Sequence, residues 1–135
     1  MAAQLSTSSS HREQRPPLCT PLEGEHPWIE DAHLLVRLAR DADEVRAAQR
    51  VRHQVFVKEL QNASTSEGVD EDRFDDHCDH LLLIDRISEE IVGTYRLQTA
   101  RRARAGIGFY CDQEFVLDDF PAEVVEQSIE LGRAC

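Results

Sequence analysis

The sequence predicts an α/β domain of the α+β type, with a mostly antiparallel sheet flanked by helices. Three observations predict it. Apolar side chains alternate along residues 33–40, which is typical of a half-buried strand. The next segment carries apolar residues at three- and four-residue steps, which is typical of an amphipathic helix. Two short apolar segments, residues 80–85 and 91–99, then lie close enough together to favour an antiparallel hairpin.

The first helix is predicted to begin at Asp41 or Asp43, because a short carboxylate can accept the free N–H groups of the first turn, and to run to about Leu60. Its predicted apolar stripe comprises Val45, Ala48, Val51, Val55 and either Phe56 or the stem of Lys58. The apolar run 81–84 predicts a central strand. Polar residues 62–68 predict a loop.

A second helix is predicted over residues 121–127, since Pro121 suits a first helical position. A last strand is predicted over residues 128–135. Strand alternation would place Ile129, Leu131 and Arg133 on one face and Glu130 on the other.

Residues 1–31 are rich in Ser, Thr and Pro and lack periodicity, so we expect a disordered N-terminal tail before a single domain over residues 32–135. The four cysteines form no Cys-x-x-Cys pair and no secretory signal precedes them, so we expect free thiols and a cytoplasmic protein. The longest apolar run is far shorter than the ~20 residues of a membrane-spanning helix.

The net charge of -11 makes the chain a poor general binder of nucleic acid, because phosphates repel it. The acids concentrate in residues 67–79, which contain seven acidic residues and one arginine. Four interpretations are open: a solvated loop, a calcium loop, a zinc site and a carboxylate cluster. The calcium loop lacks the required glycine at Asp75, and His77, Cys78 and His80 are too close in sequence for good zinc geometry. In the cluster, crowded carboxylates would raise one another's proton affinity, hold a cationic amine and supply a base.

Basic residues concentrate in a second segment, at Arg101, Arg102 and Arg104. This segment is either a solvated loop or a docking site for an acidic partner or a phosphate-bearing carrier arm. In the first helix, Arg52 and Phe56 are four residues apart and share a face. They are either a surface arginine above a core phenylalanine or part of a site.

Five motifs occur in an order that resembles a known family. They are Arg52-x-x-Val55-Phe56, Asp72-x-x-Asp75, Val92-Gly93-Thr94-Tyr95-Arg96-Leu97, Phe115 and Glu130-Leu131-Gly132-Arg133. The set resembles the GNAT-type N-acyltransferases, both the acyl-homoserine-lactone synthases and, more closely, the bacterial ornithine N-alpha-acyltransferases of the hemolysin-like branch. Residues 32–135 would then be the N-terminal half of a GNAT-like domain.

The resemblance implies roles for individual residues. Glu130 would be the catalytic base. The substrate-binding residues would be Arg52, Phe56, Asp70, Asp72, Asp75, Arg96, Phe115 and Arg133. The reaction implied is transfer of a 3-hydroxyacyl group from acyl carrier protein to the alpha-amine of ornithine, the first step of ornithine-lipid biosynthesis. The carrier thioester is a co-substrate, no other cofactor or metal is expected, and peripheral membrane contact through the lipid product is implied.

The sequence departs from the family in one respect. No Gly-x-Gly stretch lies at a strand-to-helix turn, where related enzymes bind the pantetheine pyrophosphate. We therefore expect a fragment with an incomplete fold that is inactive alone. The alternatives are an acyl-homoserine-lactone synthase, which is disfavoured because residues 61–66 lack the expected tryptophan, another GNAT acyltransferase, or a non-catalytic acidic binding module.

Overall fold

The computed structural model describes residues 29–60 and 68–135. Within them the chain forms one antiparallel sheet in the order β1-β2-β3-β4-β5. The strands are β1 (Ile29–Glu30), β2 (Leu34–Leu38), β3 (Asp79–Asp85), β4 (Ile91–Thr99) and β5 (Ile129–Gly132). The predicted antiparallel α+β architecture is confirmed, and the predicted hairpin is β3 and β4.

The sheet begins earlier than the sequence indicated. Ile29 pairs with Val36 and Glu30 with Leu35, so these two residues, assigned to the tail, form an edge strand. Residues 1–28 of the predicted tail, which include Cys19, lie outside the described residues, and so do residues 61–67, which contain most of the predicted polar loop. The predicted first strand is confirmed with shorter bounds, because residues 33, 39 and 40 fall outside β2.

The first helix comprises α1 (Ala42–Arg52) and a π-helix (His53–Glu59) that continues it. The Asp41 side chain caps α1 by accepting the Glu44 N–H at 2.9 Å, as predicted. The predicted apolar stripe is only partly right. Ala48 is fully buried, but Val45, Val51 and Val55 are half-buried, and the other fully buried helix residues are polar.

The α1 helix packs on β3 and β4, where Ala48 contacts Leu82 and Ile84 in the core. Leu82 and Ile84 lie on the same face of the sheet because side chains alternate along β3. Complete burial of Leu82 stabilises the fold by about 1.5–3 kcal/mol. This packing fixes α1 over the part of the sheet that carries the polar residues described below.

One α-helix of the described residues was not predicted. The arginine segment, expected to be a loop or dock, forms α2 (Ala100–Ala105), with Thr99 as the N-cap that accepts the Arg102 N–H. Ala100 and Ala103 are buried against Phe109. A threonine before an alanine-rich segment is a helix-start signal that could have been recognised.

The C-terminal part contains short elements. They are the 3-10 helices Tyr110–Gln113 and Leu117–Asp119 and α3 (Ala122–Glu126). The predicted second helix is confirmed, although Pro121 is its N-cap rather than its first residue. Among the described residues, no helix combines the length and the apolar character needed to cross a membrane.

Candidate active site

Three arginines and three aspartates meet on the α1 side of the sheet. The arginines come from three separate elements and the aspartates from the loop before β3. The members are Arg52 of α1, Arg96 of β4, Arg133 after β5, and Asp70, Asp72 and Asp75. We call this set the arginine–aspartate network.

Asp75 lies at the centre of the network. Its carboxylate binds Arg52 in a bidentate pair, with both N···O distances at 2.8 Å, and Arg96 at 3.1 Å. It also accepts hydrogen bonds from Gln49 Nε2 and the Asp72 N–H. Burial alone would raise the pKa of Asp75, but the hydrogen bonds and charge of Arg52 outweigh it and lower the pKa to about 2.

The other two aspartates connect the network to its third arginine. Asp72 binds Arg96 at 2.6 Å and Arg133 at 3.2 Å, and Asp70 pairs with Arg52 at 2.9 Å and Arg133 at 3.3 Å. Burial opposes ionisation of Asp72, yet Arg96 lowers its pKa. The charge of Asp75 raises the pKa of Asp72, as the crowding hypothesis expected, but the paired arginines outweigh this effect. The prediction of a carboxylate with a raised proton affinity is therefore wrong for Asp72 and Asp75.

A β-bulge directs Arg133 into the network. The β5 strand pairs in register up to Gly132, which lies opposite Arg96. Cys135 then exchanges two backbone hydrogen bonds with Thr94, at 2.8 and 3.1 Å. One extra residue therefore lies on this side of the ladder, and Arg133 adopts a left-handed backbone there, with φ 50°.

The bulge corrects the predicted alternation of the last strand. Arg133 does not share the face of Ile129 and Leu131, which remain 59% and 63% exposed on the other side of the sheet. It lines the same cavity as Glu130 instead. The two charged residues predicted on opposite faces are thus brought together, since a bulge re-aims the side chain that follows it.

The cavity has a volume of about 200 Å³ and lies beside the network. Its lining residues are Cys78, Arg96, Gln98, Tyr110, Glu130, Leu131, Gly132 and Arg133. The Glu130 carboxylate is held in place because each oxygen accepts a backbone N–H, from Tyr110 and Cys111, at 2.8 Å. Arginines and a carboxylate therefore face one small space.

Aromatic rings hold the arginines at the cavity. The Arg96 guanidinium lies 5.7 Å from the Phe74 ring centre and 5.8 Å from that of Tyr110, and these rings meet edge to face. The Arg133 guanidinium lies 5.9 Å from the Phe56 ring centre. The attraction between a guanidinium group and an aromatic ring in such a contact is about 0.5–2 kcal/mol.

The predicted site residues fall into distinct groups. Arg96, Glu130 and Arg133 line the cavity. Arg52 and Asp75, both nearly inaccessible to solvent, do not line it. Phe115 belongs to neither group, since it lies after the 3-10 helix Tyr110–Gln113 and is 62% exposed. The individual roles assigned to these residues stay predictions.

The arginines of α2 lie apart from the cavity lining. Arg102 pairs with Asp79 and the exposed Arg104 with Glu126, while Arg101 is exposed. Docking of a carrier protein there stays a prediction. Sequence reasoning missed Gln49, Gln98 and Tyr110, because a neutral polar residue in a helix, strand or loop carries no distinctive pattern.

The three cysteines in the described part of the chain are poor nucleophiles. Cys78, Cys111 and Cys135 are free thiols, in agreement with the prediction. Burial raises the pKa of Cys78 to about 12 and that of Cys111 to about 11, so both are protonated near neutral pH. Within residues 29–60 and 68–135, no three His, Cys, Asp or Glu side chains are arranged to hold a metal ion.

Comparisons with known proteins found a matching domain family and several relatives of this chain. The acetyltransferase (GNAT) domain model matches residues 51–135. An L-ornithine N(alpha)-acyltransferase of Rhodobacter capsulatus is 44% identical over 74% of this chain and 42% of its own length. Those of Agrobacterium fabrum and Rhizobium meliloti are 41% and 40% identical, and in each the match covers 38% of the relative.

The chain thus spans about two fifths of the length of these curated relatives. No solved structure matches it significantly. The domain match covers more than half of the chain and includes the whole cavity lining and all six residues of the arginine–aspartate network. The chain therefore belongs to the GNAT acetyltransferase family.

Proposed function

We propose that this chain supplies the acceptor-binding part of an N-acyltransferase that joins a 3-hydroxyacyl group to the alpha-amine of ornithine. Acyl carrier protein delivers the acyl group as a thioester, and the product is a precursor of ornithine lipid. The observation that carries the proposal is the cavity in which Arg96 and Arg133 face Glu130. The names of the relatives supply the amine, L-ornithine.

The cavity offers complementary partners for an amino acid. The guanidinium groups of Arg96 and Arg133 suit a carboxylate, since arginine binds carboxylates through charge-assisted hydrogen bonds. Glu130 suits the amine. The buried network behind the cavity, centred on Asp75, holds both arginines in place, so Arg52 and Asp75 act as positioning residues.

The reaction requires a neutral amine and a proton acceptor. The amine nitrogen attacks the thioester carbonyl, a C–N bond forms, and Glu130 accepts the proton that the amine loses. Collapse of the tetrahedral intermediate breaks the C–S bond, and that proton leaves with the carrier thiol. Because the thiols of Cys78 and Cys111 are protonated near neutral pH, direct attack by the amine is favoured over an acyl-cysteine intermediate.

The carrier protein is proposed to dock at α2. The exposed side chains of Arg101 and Arg104 lie on this short helix, and carrier proteins are acidic. The α2 helix follows β4 directly, so its arginines come immediately after the strand that carries Arg96 and Gln98. Opposite charges would steer the two proteins together at low salt.

The proposal is tested with the complete gene product, ornithine and 3-hydroxyacyl carrier protein. We expect N-acylornithine, detected by mass spectrometry, and a kcat lowered about 100-fold or more in Glu130→Gln, since general bases contribute about 10²–10⁴ in rate. Glu123→Gln, an exposed change in α3, should leave kcat unaltered. Release of homoserine lactone, or acylation of another amine only, would reject ornithine as the acceptor.

A further inference from the structure

Gln98 is a buried polar residue at the cavity for which neither the network nor the proposed mechanism accounts. It lies near the end of β4, is only 1% exposed and lines the cavity. Its Oε1 atom is buried and has no hydrogen-bond partner among the described residues. An unsatisfied buried acceptor costs about 1–3 kcal/mol, so it indicates a missing donor.

The orientation of the Gln98 amide is fixed by its other end. Nε2 donates to the Gly108 carbonyl oxygen at 3.1 Å. A carbonyl oxygen can only accept, so the NH2 group must face Gly108 and Oε1 must face away from it. The atom of this cavity-lining residue that has no partner among the described residues is therefore an acceptor, which suits an N–H group and not a carboxylate.

Gln98 and Glu130 form a pair across the sheet. They are register partners on β4 and β5, so their side chains leave the same face about 5 Å apart. One loop holds both of them, through the Gly108 carbonyl for Gln98 and the N–H groups of Tyr110 and Cys111 for Glu130. Two acceptors are thus presented side by side.

The cations of the cavity lie at its other end. Arg96 is two residues before Gln98 on β4, a step of about 7 Å along the strand, and its register partner Gly132 precedes Arg133. The cavity therefore has acceptors at one end and guanidinium groups at the other. This polarity matches the ammonium and carboxylate groups of an α-amino acid.

We infer that Gln98 is a substrate-binding residue whose Oε1 accepts an N–H of the attacking alpha-amine. Glu130 takes one proton from that amine, while Gln98, which cannot take a proton, holds a remaining N–H and so orients the nitrogen lone pair. This inference rests on the proposed function, because it requires an amino acid acceptor in the cavity.

The test uses the complete gene product and its Gln98→Met variant, which keeps the side-chain length and removes the acceptor. We expect the KM for ornithine to rise about tenfold, the effect of one lost hydrogen bond, with an unchanged KM for the acyl carrier thioester. Gln127→Met, an exposed change before β5, serves as the matched control and should change neither constant.

A second measurement separates substrate binding from a structural role of the Gly108 contact. The competitive inhibitor 5-aminopentanoate lacks the alpha-amine but keeps the carboxylate, so its Ki should be the same in the wild type and in Gln98→Met. Equal weakening of ornithine and inhibitor, or an unchanged KM for ornithine, would overturn the inference. Absence of acylornithine from the wild type would instead reject the proposed function.

Discussion

Asp75 shows how one residue organises a site that it does not line. Its carboxylate joins Arg52 of α1 to Arg96 of β4, and all three side chains are almost completely buried. Desolvating charges is costly, and a buried ion pair adds little net stability compared with an apolar core. Its value here is positional, because it fixes Arg96 at the cavity wall.

Replacing Asp75 by Asn should destabilise the protein by about 3–5 kcal/mol at neutral pH, because the buried guanidinium of Arg52 loses its bidentate partner charge and keeps only that of Asp70. The measurement is urea unfolding of the wild type and the variant. Asp118→Asn, an exposed change in a 3-10 helix, is the matched control and should shift the free energy of unfolding by less than about 0.5 kcal/mol.

The same variant should reveal the titration of this carboxyl group. The pKa of Asp75 is about 2 in the folded protein, against an ordinary value of 3.8 for an aspartate, so the unfolded state binds more protons between these values. The stability from this group is complete above about pH 4 and is lost as the pH falls towards 2. The difference in the free energy of unfolding between the wild type and Asp75→Asn should therefore narrow by about 2 kcal/mol as the pH falls from about 4 to 2. A difference that is independent of pH would contradict the lowered pKa of Asp75.

Two irregular elements build the cavity. The bulge at Arg133 turns a side chain from one face of the sheet to the other, and the loop from Gly108 to Cys111 holds Gln98 and Glu130. Gly108 itself has φ 83°, and an added Cβ would lie 2.7 Å from Asp112 Oδ2. That oxygen accepts the Phe109 N–H, so a clash there would open the loop.

Gly108→Ala should therefore lower both stability and kcat, and Gly68→Ala provides the control. Both glycines have positive φ, so both substitutions incur a backbone cost of about 1 kcal/mol. Only the Cβ at Gly108 meets another atom, because the space around Gly68 is open. We expect Gly108→Ala to lower the melting temperature further and to reduce acylation. Equal effects of the two changes on both readouts would show that the loop contact is unimportant.

At the scale of the molecule, the sheet has two unlike faces. One face carries α1, the network and the cavity. The other face is apolar, with a cavity of about 150 Å³ lined by residues that include Val36, Leu81, Leu83 and Tyr95. Ile129 and Leu131 on the edge strand β5 are more than half exposed on this side. An exposed apolar face next to a sheet edge favours association between molecules.

The chain produced alone should therefore self-associate, which sedimentation velocity measures directly. The double change Ile129→Lys and Leu131→Lys should shift the protein towards the monomer, since charges on an edge strand oppose strand pairing. Ile87→Lys provides the control, because Ile87 is 79% exposed in the turn between β3 and β4. A monomeric wild type, or the same response to both sets of changes, would contradict this prediction.

Local patterns in the sequence predict most of the helices and strands. Periodicity and capping predicted β2 to β5 and α1, with Asp41 or Asp43 as its cap, and the ordered motifs predicted the family. Each of these depends on residues close together in the chain, where the period of side chains and the chemistry of a helix end act locally. The missed α2 had a local signal in Thr99, so that failure was avoidable.

Contacts between distant segments determine which charged residues share a site. The left-handed backbone at Arg133 arises from pairing between β5 and β4, and strand alternation in the sequence predicted the opposite face. The lowered pKa values of Asp72 and Asp75 depend on arginines at least 21 residues away. The proposed role of Gln98 depends on its register partner Glu130, which lies 32 residues further along the chain. Contacts between distant segments set charge, burial and direction, and none of these is visible in the spacing of neighbouring residues.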